Sequence, residues 1–243
     1  MAKRWLKKTG IVLFWLLLWQ LVSIALNQPI ILTGPLEVAR ALFALLPQSE
    51  FWLTVVMTLV KITCGFGLAL FAGFGLGTLA WKFQWLKELL APVMSLVRAI
   101  PVASFVILAL IWAGSKNLSI LISFLVAAPV IYVQTLAGLT STDKKMLEMA
   151  QVFHMPLPAK CRYIYWAALR PHLMEGIRIT MGLCWKSGVA AEVIGTPDHS
   201  IGEKLYMAKI YLSTDELLAW TLVVILLSAL FERICLRLME AGK

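Results

Sequence analysis

Apolar stretches close to twenty residues long recur along this chain from residue 10 to residue 237. The hydrocarbon core of a bilayer is ~30 Å thick, and a helix needs about 20 apolar residues to cross it. Backbone amides have no water to bond inside hydrocarbon, so only helices and closed barrels span it. A barrel strand alternates apolar with polar residues, and these stretches do not. The fold class is therefore an all-α integral membrane protein. Composition agrees: 60% of residues are hydrophobic and only 14% are charged, too little polar surface for a soluble domain.

The stretches divide residues 1–243 into a single transmembrane domain with six expected spans, at about 10–26, 52–81, 89–113, 118–139, 174–194 and 217–231. Lys3, Arg4, Lys7 and Lys8 precede the first span, Lys82 and Lys87 follow the second, and Arg233, Arg237 and Lys243 follow the last. Basic residues collect on the cytoplasmic side of a membrane, so both termini are expected there. The net charge of +9 is accounted for by these flanks, by lipid headgroups and orientation rather than by nucleic acid. The first stretch also resembles a signal peptide, with Ser23-Ile24-Ala25 as a cleavage-like site; the membrane-embedded remainder of the chain favours a span. Pro35 opens an amphipathic helix expected to lie on the exterior membrane surface. Cys64, Cys161, Cys184 and Cys235 are far apart and read as small apolar side chains, not as a disulfide or metal site.

Charges within spans are costly and tend to be functional. Lys61, Arg98, Lys186 and Glu192 are the charged candidates for lining a translocation path, with Thr180 and Ser187 as polar companions. Arg98 either lines the cytoplasmic mouth or extends its head to the interface. Lys186 and Glu192 are six positions apart, about 240° around a helix, so they do not face one another. Each needs a partner on another span, or water. Gly65, Ala69, Gly73 and Gly77 form a small-residue stripe expected to pack closely against another helix.

The longest interior polar segment, 140–173, is expected to be cytoplasmic and contains Glu148, Ala150, His154, Pro156, Pro158 and Ile164. A helix is expected to finish near Phe153, prolines 156 and 158 to force a turn, and a second helix to run from Ala159 to Leu169. The segment resembles the cytoplasmic loop of permease subunits of binding-protein-dependent ABC importers. That loop opens Glu-Ala-Ala, places Gly six residues after the Glu and Ile ten further on, and closes Leu-Pro. Glu148, Ala150 and Ile164 keep the pattern, whereas Met149, His154 and Trp166-Ala167 depart from it. Leu32-Thr33-Gly34-Pro35, Arg98-Ala99-Ile100-Pro101, Leu136-Ala137-Gly138-Leu139 and Ala190-Ala191-Glu192-Val193-Ile194-Gly195 resemble the nitrate/sulfonate/taurine branch in order and spacing.

The resemblance implies a type I importer bundle in a bacterial inner membrane. It also implies an ATP-binding cassette subunit in two copies, a second permease copy, an exterior substrate-binding protein and surrounding membrane lipid. Glu148, Ala150, His154, Pro156, Pro158 and Ile164 would then couple the spans to the ATPase. The chain contains no Gly-x-x-x-x-Gly-Lys-Ser/Thr sequence, so ATP hydrolysis is expected in the partner. No catalytic residue, metal ligand or cofactor is expected. The competing classes are a self-sufficient channel or secondary carrier, and a membrane-embedded enzyme; the sequence has neither HExxH nor GxSxG.

Overall fold

The structure, a computed structural model, describes residues 2–241, with side chains for residues 9–237. The side chains of Lys3, Arg4, Lys7, Lys8 and Lys243, which enter the orientation argument, lie outside that range. Among the described residues every regular element is helical.

The first helix, α1 (Ala2–Leu26), stands at the periphery, with Ile11 to Leu18 all exposed. It is tied to the next segment by Trp19 Nε1, which donates to the Thr33 carbonyl at 3.1 Å, and by Ser23 Oγ, which donates to the Leu32 carbonyl at 3.0 Å. The expected surface helix is α2 (Pro35–Leu45), with proline at its first turn, where the missing amide costs nothing.

The core consists of α3 (Ser49–Lys82), α5 (Val102–Thr140) and α8 (Trp166–Gly195). Ile62 and Phe66 of α3, Ala127 and Ile131 of α5, and Met181 and Trp185 of α8 share one buried cluster. The small-residue stripe performs the packing expected of it. A methyl group at Gly73 would lie 2.8 Å from Ile131 Cβ, and one at Gly77 would lie 2.7 Å from Thr135 Cβ. With any larger residue there, α3 could not approach α5 this closely.

Two expected boundaries are corrected. The expected span 89–113 is broken: α4 (Gln84–Ala99) ends before Pro101, and α5 starts at Val102. Ile100 is extended (φ −71°, ψ 129°), the geometry forced on a residue preceding proline. The gap between the expected spans 89–113 and 118–139 contracts to a kink at Gly114, whose φ of 66° and ψ of 173° suit glycine. The arms on either side fold back together, with Val106 and Ala109 packing against Leu118 and Ile122.

After α5 come α6 (Lys144–Val152), the single turn α7 (Leu157–Lys160) and a π-helical turn at Cys161–Tyr165 that runs straight into α8. The expected separate helix from Ala159 to Leu169 is thus the beginning of the long core helix. α9 (Ile201–Ile210) caps the far end of α8, and α10 (Thr214–Ala241) packs through Phe231 onto Phe66 and Trp185.

Among the described residues, four helices are long and apolar enough to cross a membrane: α1, α3, α5 and α10. The six expected spans are not all met by that criterion. At 16 residues α4 is short, about 24 Å. Its 30 residues make α8 long enough, but it carries Glu175, Arg178, Lys186 and Glu192.

Candidate functional site

The charged groups of α8 separate into two environments. Glu192, near its C-terminal end, is fully buried. Thr58 Oγ1 on α3 donates to Glu192 Oε2 at 2.9 Å, and the Gly202 amide on α9 donates to the same oxygen at 3.3 Å. Thr58 Oγ1 also accepts from the Ile201 amide at 3.0 Å. The first-turn amides of α9, which its own helix cannot satisfy, are thus spent on one hydroxyl and one carboxylate from two core helices. Gly202 rests directly on the Glu192 backbone with no room for a Cβ. Lys61, one turn beyond Thr58 on α3, is close enough for its charge to act on Glu192. The second carboxylate oxygen, Oε1, and the buried Ser119 hydroxyl lie near each other without completing a hydrogen bond.

Two further contacts fasten α9. Ser200 caps it, its hydroxyl accepting from the Glu203 amide at 3.1 Å. Lys204 pairs with Glu50 at the start of α3. The 34 residues of α3 extend about 51 Å, well beyond a ~30 Å hydrocarbon core, so Glu50 lies outside it. There the hydrogen bond and charge of Lys204 hold the Glu50 carboxyl below the ordinary carboxylate range.

Lys186 is exposed instead, on the face of α8 that α3 and α5 leave uncovered, together with Glu175, Arg178 and Ala190. Of the other path candidates, Lys61 is half-buried and Arg98 is exposed on α4. Thr180 is fully buried and donates within its own helix, to the Gly176 carbonyl at 2.8 Å. Ser187 is also buried, beside the core glycine Gly188. The structure therefore sets Thr58 against Glu192, leaves Lys186 and Arg98 exposed away from it, and keeps the Thr180 hydroxyl within its own helix. Arg178 and Glu175 are not among the expected path residues, although the cost of a charge within a span applies to them equally.

The segment between α5 and α8 forms a second surface. Asp143 caps α6, its carboxylate accepting from the Lys145 amide at 2.9 Å. The helix ends in a Schellman turn. The Met155 amide bonds the Ala150 carbonyl at 2.8 Å and the His154 amide bonds the Gln151 carbonyl at 3.1 Å, with His154 at a φ of 51°. His154 thus occupies, in left-handed geometry, the position where the resembled loop has glycine. Ala150 and Ile164 are buried, whereas Glu148, His154, Pro156 and Pro158 are exposed. Val152, Phe153 and Leu157 protrude beside them, each about three-quarters exposed at 74%, 76% and 74%.

Comparison with known proteins identifies the family. The family described as binding-protein-dependent transport system inner membrane component matches residues 65–239. The taurine transport system permease protein of Escherichia coli is 24% identical over 220 residues, covering 88% of this chain and 80% of that one. A protein named as an aliphatic sulfonates transport permease in Escherichia coli is 27% identical over 231 residues, covering 94% and 86%. The bicarbonate transport system permease protein of Synechococcus elongatus is 26% identical over 158 residues, covering 65% and 56%. The chain belongs to the inner-membrane permease family of binding-protein-dependent ABC importers, in its nitrate/sulfonate/taurine branch.

Proposed function

We propose that the chain is one of two identical halves of an importer that carries a small anionic solute inward by alternating access, driven by ATP hydrolysis on a separate cassette subunit. The observation carrying this reading is the uncovered face of α8. Lys186 and Arg178 lie exposed there, with Glu175 as the one carboxylate beside them, while the opposite face of α8 packs in the core. An ammonium within a span cannot face lipid cheaply. A second copy placed against this face would turn it into a shared, water-filled path with positive charge for an anion to follow. The relatives' names add to this: taurine, aliphatic sulfonates and bicarbonate all carry an anionic group.

The 140–173 segment is the docking element for the cassette subunit in this reading. Phe153, Val152 and Leu157 are apolar knobs for a partner groove, and the segment and both termini face the cytoplasm. α9 and α2 lie on the opposite side, where a substrate-binding protein delivers the solute. A channel or self-sufficient carrier would have no use for this apolar surface.

The test is purification of the complex and reconstitution in vesicles. The cassette subunit should co-purify, and Glu148→Lys should leave ATP hydrolysis running without solute uptake. Full uptake in that variant, or uptake without ATP, would overturn the reading.

A further inference from the structure

Between α1, α2 and α10 lies an open groove of about 660 Å³ whose walls include Leu17, Ala39, Phe43, Leu222 and Ile225. A second cavity of about 210 Å³ adjoins it and is lined by Ser23, Asn27, Gln28 and Glu37. Gln20 lines both. The first cavity is nearly all hydrocarbon; the second is rich in hydrogen-bonding groups. Glu37 is the one ionisable side chain lining either, and among the described residues no ion pair is recorded for it.

We propose that the paired cavities bind one phospholipid with a primary-amine headgroup, phosphatidylethanolamine, its acyl chain in the groove and its ammonium at Glu37. The change from apolar to polar at Gln20 matches the junction between acyl chain and headgroup. Trp19 sits at that junction and bonds the Thr33 carbonyl, the interfacial position an indole favours. An ammonium offers three N–H donors, and the polar cavity offers acceptors on Glu37, Gln20, Asn27 and Gln28. A choline headgroup has no donor to give them, and an anionic headgroup would meet Glu37 with like charge. A helix from a second copy could fill the groove but would leave the polar cavity unanswered. The site lies between two spanning helices, apart from the uncovered face of α8, so it stands or falls independently of the solute path.

The full-length chain in its complex is reconstituted in vesicles of phosphatidylethanolamine and phosphatidylglycerol, one lipid at a time carrying brominated acyl chains. The quenching that disappears in Trp19→Phe reports on the groove. Brominated phosphatidylethanolamine should quench Trp19 in preference to brominated phosphatidylglycerol. Glu37→Gln should reduce that preference about two- to fivefold, the value of one exposed ion pair. Ala39→Phe should fill the groove and abolish quenching by either lipid. Glu37 is exposed, so its variant decides the matter even if Ala39→Phe fails to fold. Equal quenching by the two lipids, or an unchanged preference in Glu37→Gln, overturns the proposal. So does a disulfide between cysteines at Leu17 of one copy and Leu222 of another, which would put protein in the groove.

Discussion

Replacing Thr58 by valine keeps the shape of a fully buried side chain and removes one hydroxyl. That hydroxyl donates to Glu192 Oε2 and accepts from the Ile201 amide. Its loss leaves a buried carboxylate short of a donor, with its other oxygen already unsatisfied, and orphans the first amide of α9. Each stranded buried group costs about 1–3 kcal/mol, so together they remove about 2–6 kcal/mol from the docking of α9. The cost falls on a local equilibrium, because the α3–α5–α8 core is untouched. Hydrogen exchange in bilayer discs reads it directly. The amides of 201–210 should exchange about 30-fold to a few ten-thousand-fold faster, while those of α3 and α5 keep their protection. Thr58→Ser, which retains the hydroxyl, should exchange close to the parent rate. If α9 exchange is unchanged in the valine variant, or α9 and the core accelerate together, the knot does not hold α9 as described.

Five further substitutions probe other features. His154→Gly should stabilise the end of α6 by about 0.5–1 kcal/mol, since left-handed geometry costs an L-residue ~1–2 kcal/mol and the freedom of glycine when unfolded returns part of it; slower exchange of the Met155 amide would confirm it, and faster exchange would refute it. Gly73→Ala should lower the melting temperature of the detergent-solubilised complex, because the methyl overpacks Ile131 at about 1–3 kcal/mol, whereas Gly67→Ala meets nothing within 4 Å and should be neutral or better. Lys186→Met should reduce uptake of an anionic solute about tenfold or more with assembly intact, while Glu192→Gln should chiefly loosen α9; parent-level uptake in Lys186→Met would remove the charge argument for an anion.

The sequence makes α1, α3 and α10 legible because each is a long apolar run, and hydrophobic length is what a bilayer selects. Close packing along Gly65, Gly73 and Gly77 is legible for a similar reason: a fourfold spacing of small residues leaves few uses other than helix contact. The division of 89–113 is partly legible in Pro101, but hydropathy carries through the proline while backbone geometry does not. The partners of Glu192 were out of reach. Thr58 is 134 positions away and Gly202 lies on a separate helix, so no local pattern links them. Arg178 is hidden for a different reason: exposure, which sequence does not give, is what sets Lys186 and Arg178 apart from buried Thr180 and Ser187.

The continuity of α8 has a mechanical consequence. From Trp166 to Glu192 it is a single rod about 39 Å long, rooted in the α6–α7 segment at one end and holding α9 at the other. Its softened turns, the π turn at Cys161–Tyr165 and Pro171, both sit at the rooted end, where a shifted or missing backbone bond lowers the stiffness. Bending therefore concentrates there, and the rest swings as a stiff arm. A tilt of only about 10° at the root sweeps Glu192 sideways by about 7 Å, more than enough to part a carboxylate from donors that reach it across 2.9 and 3.3 Å.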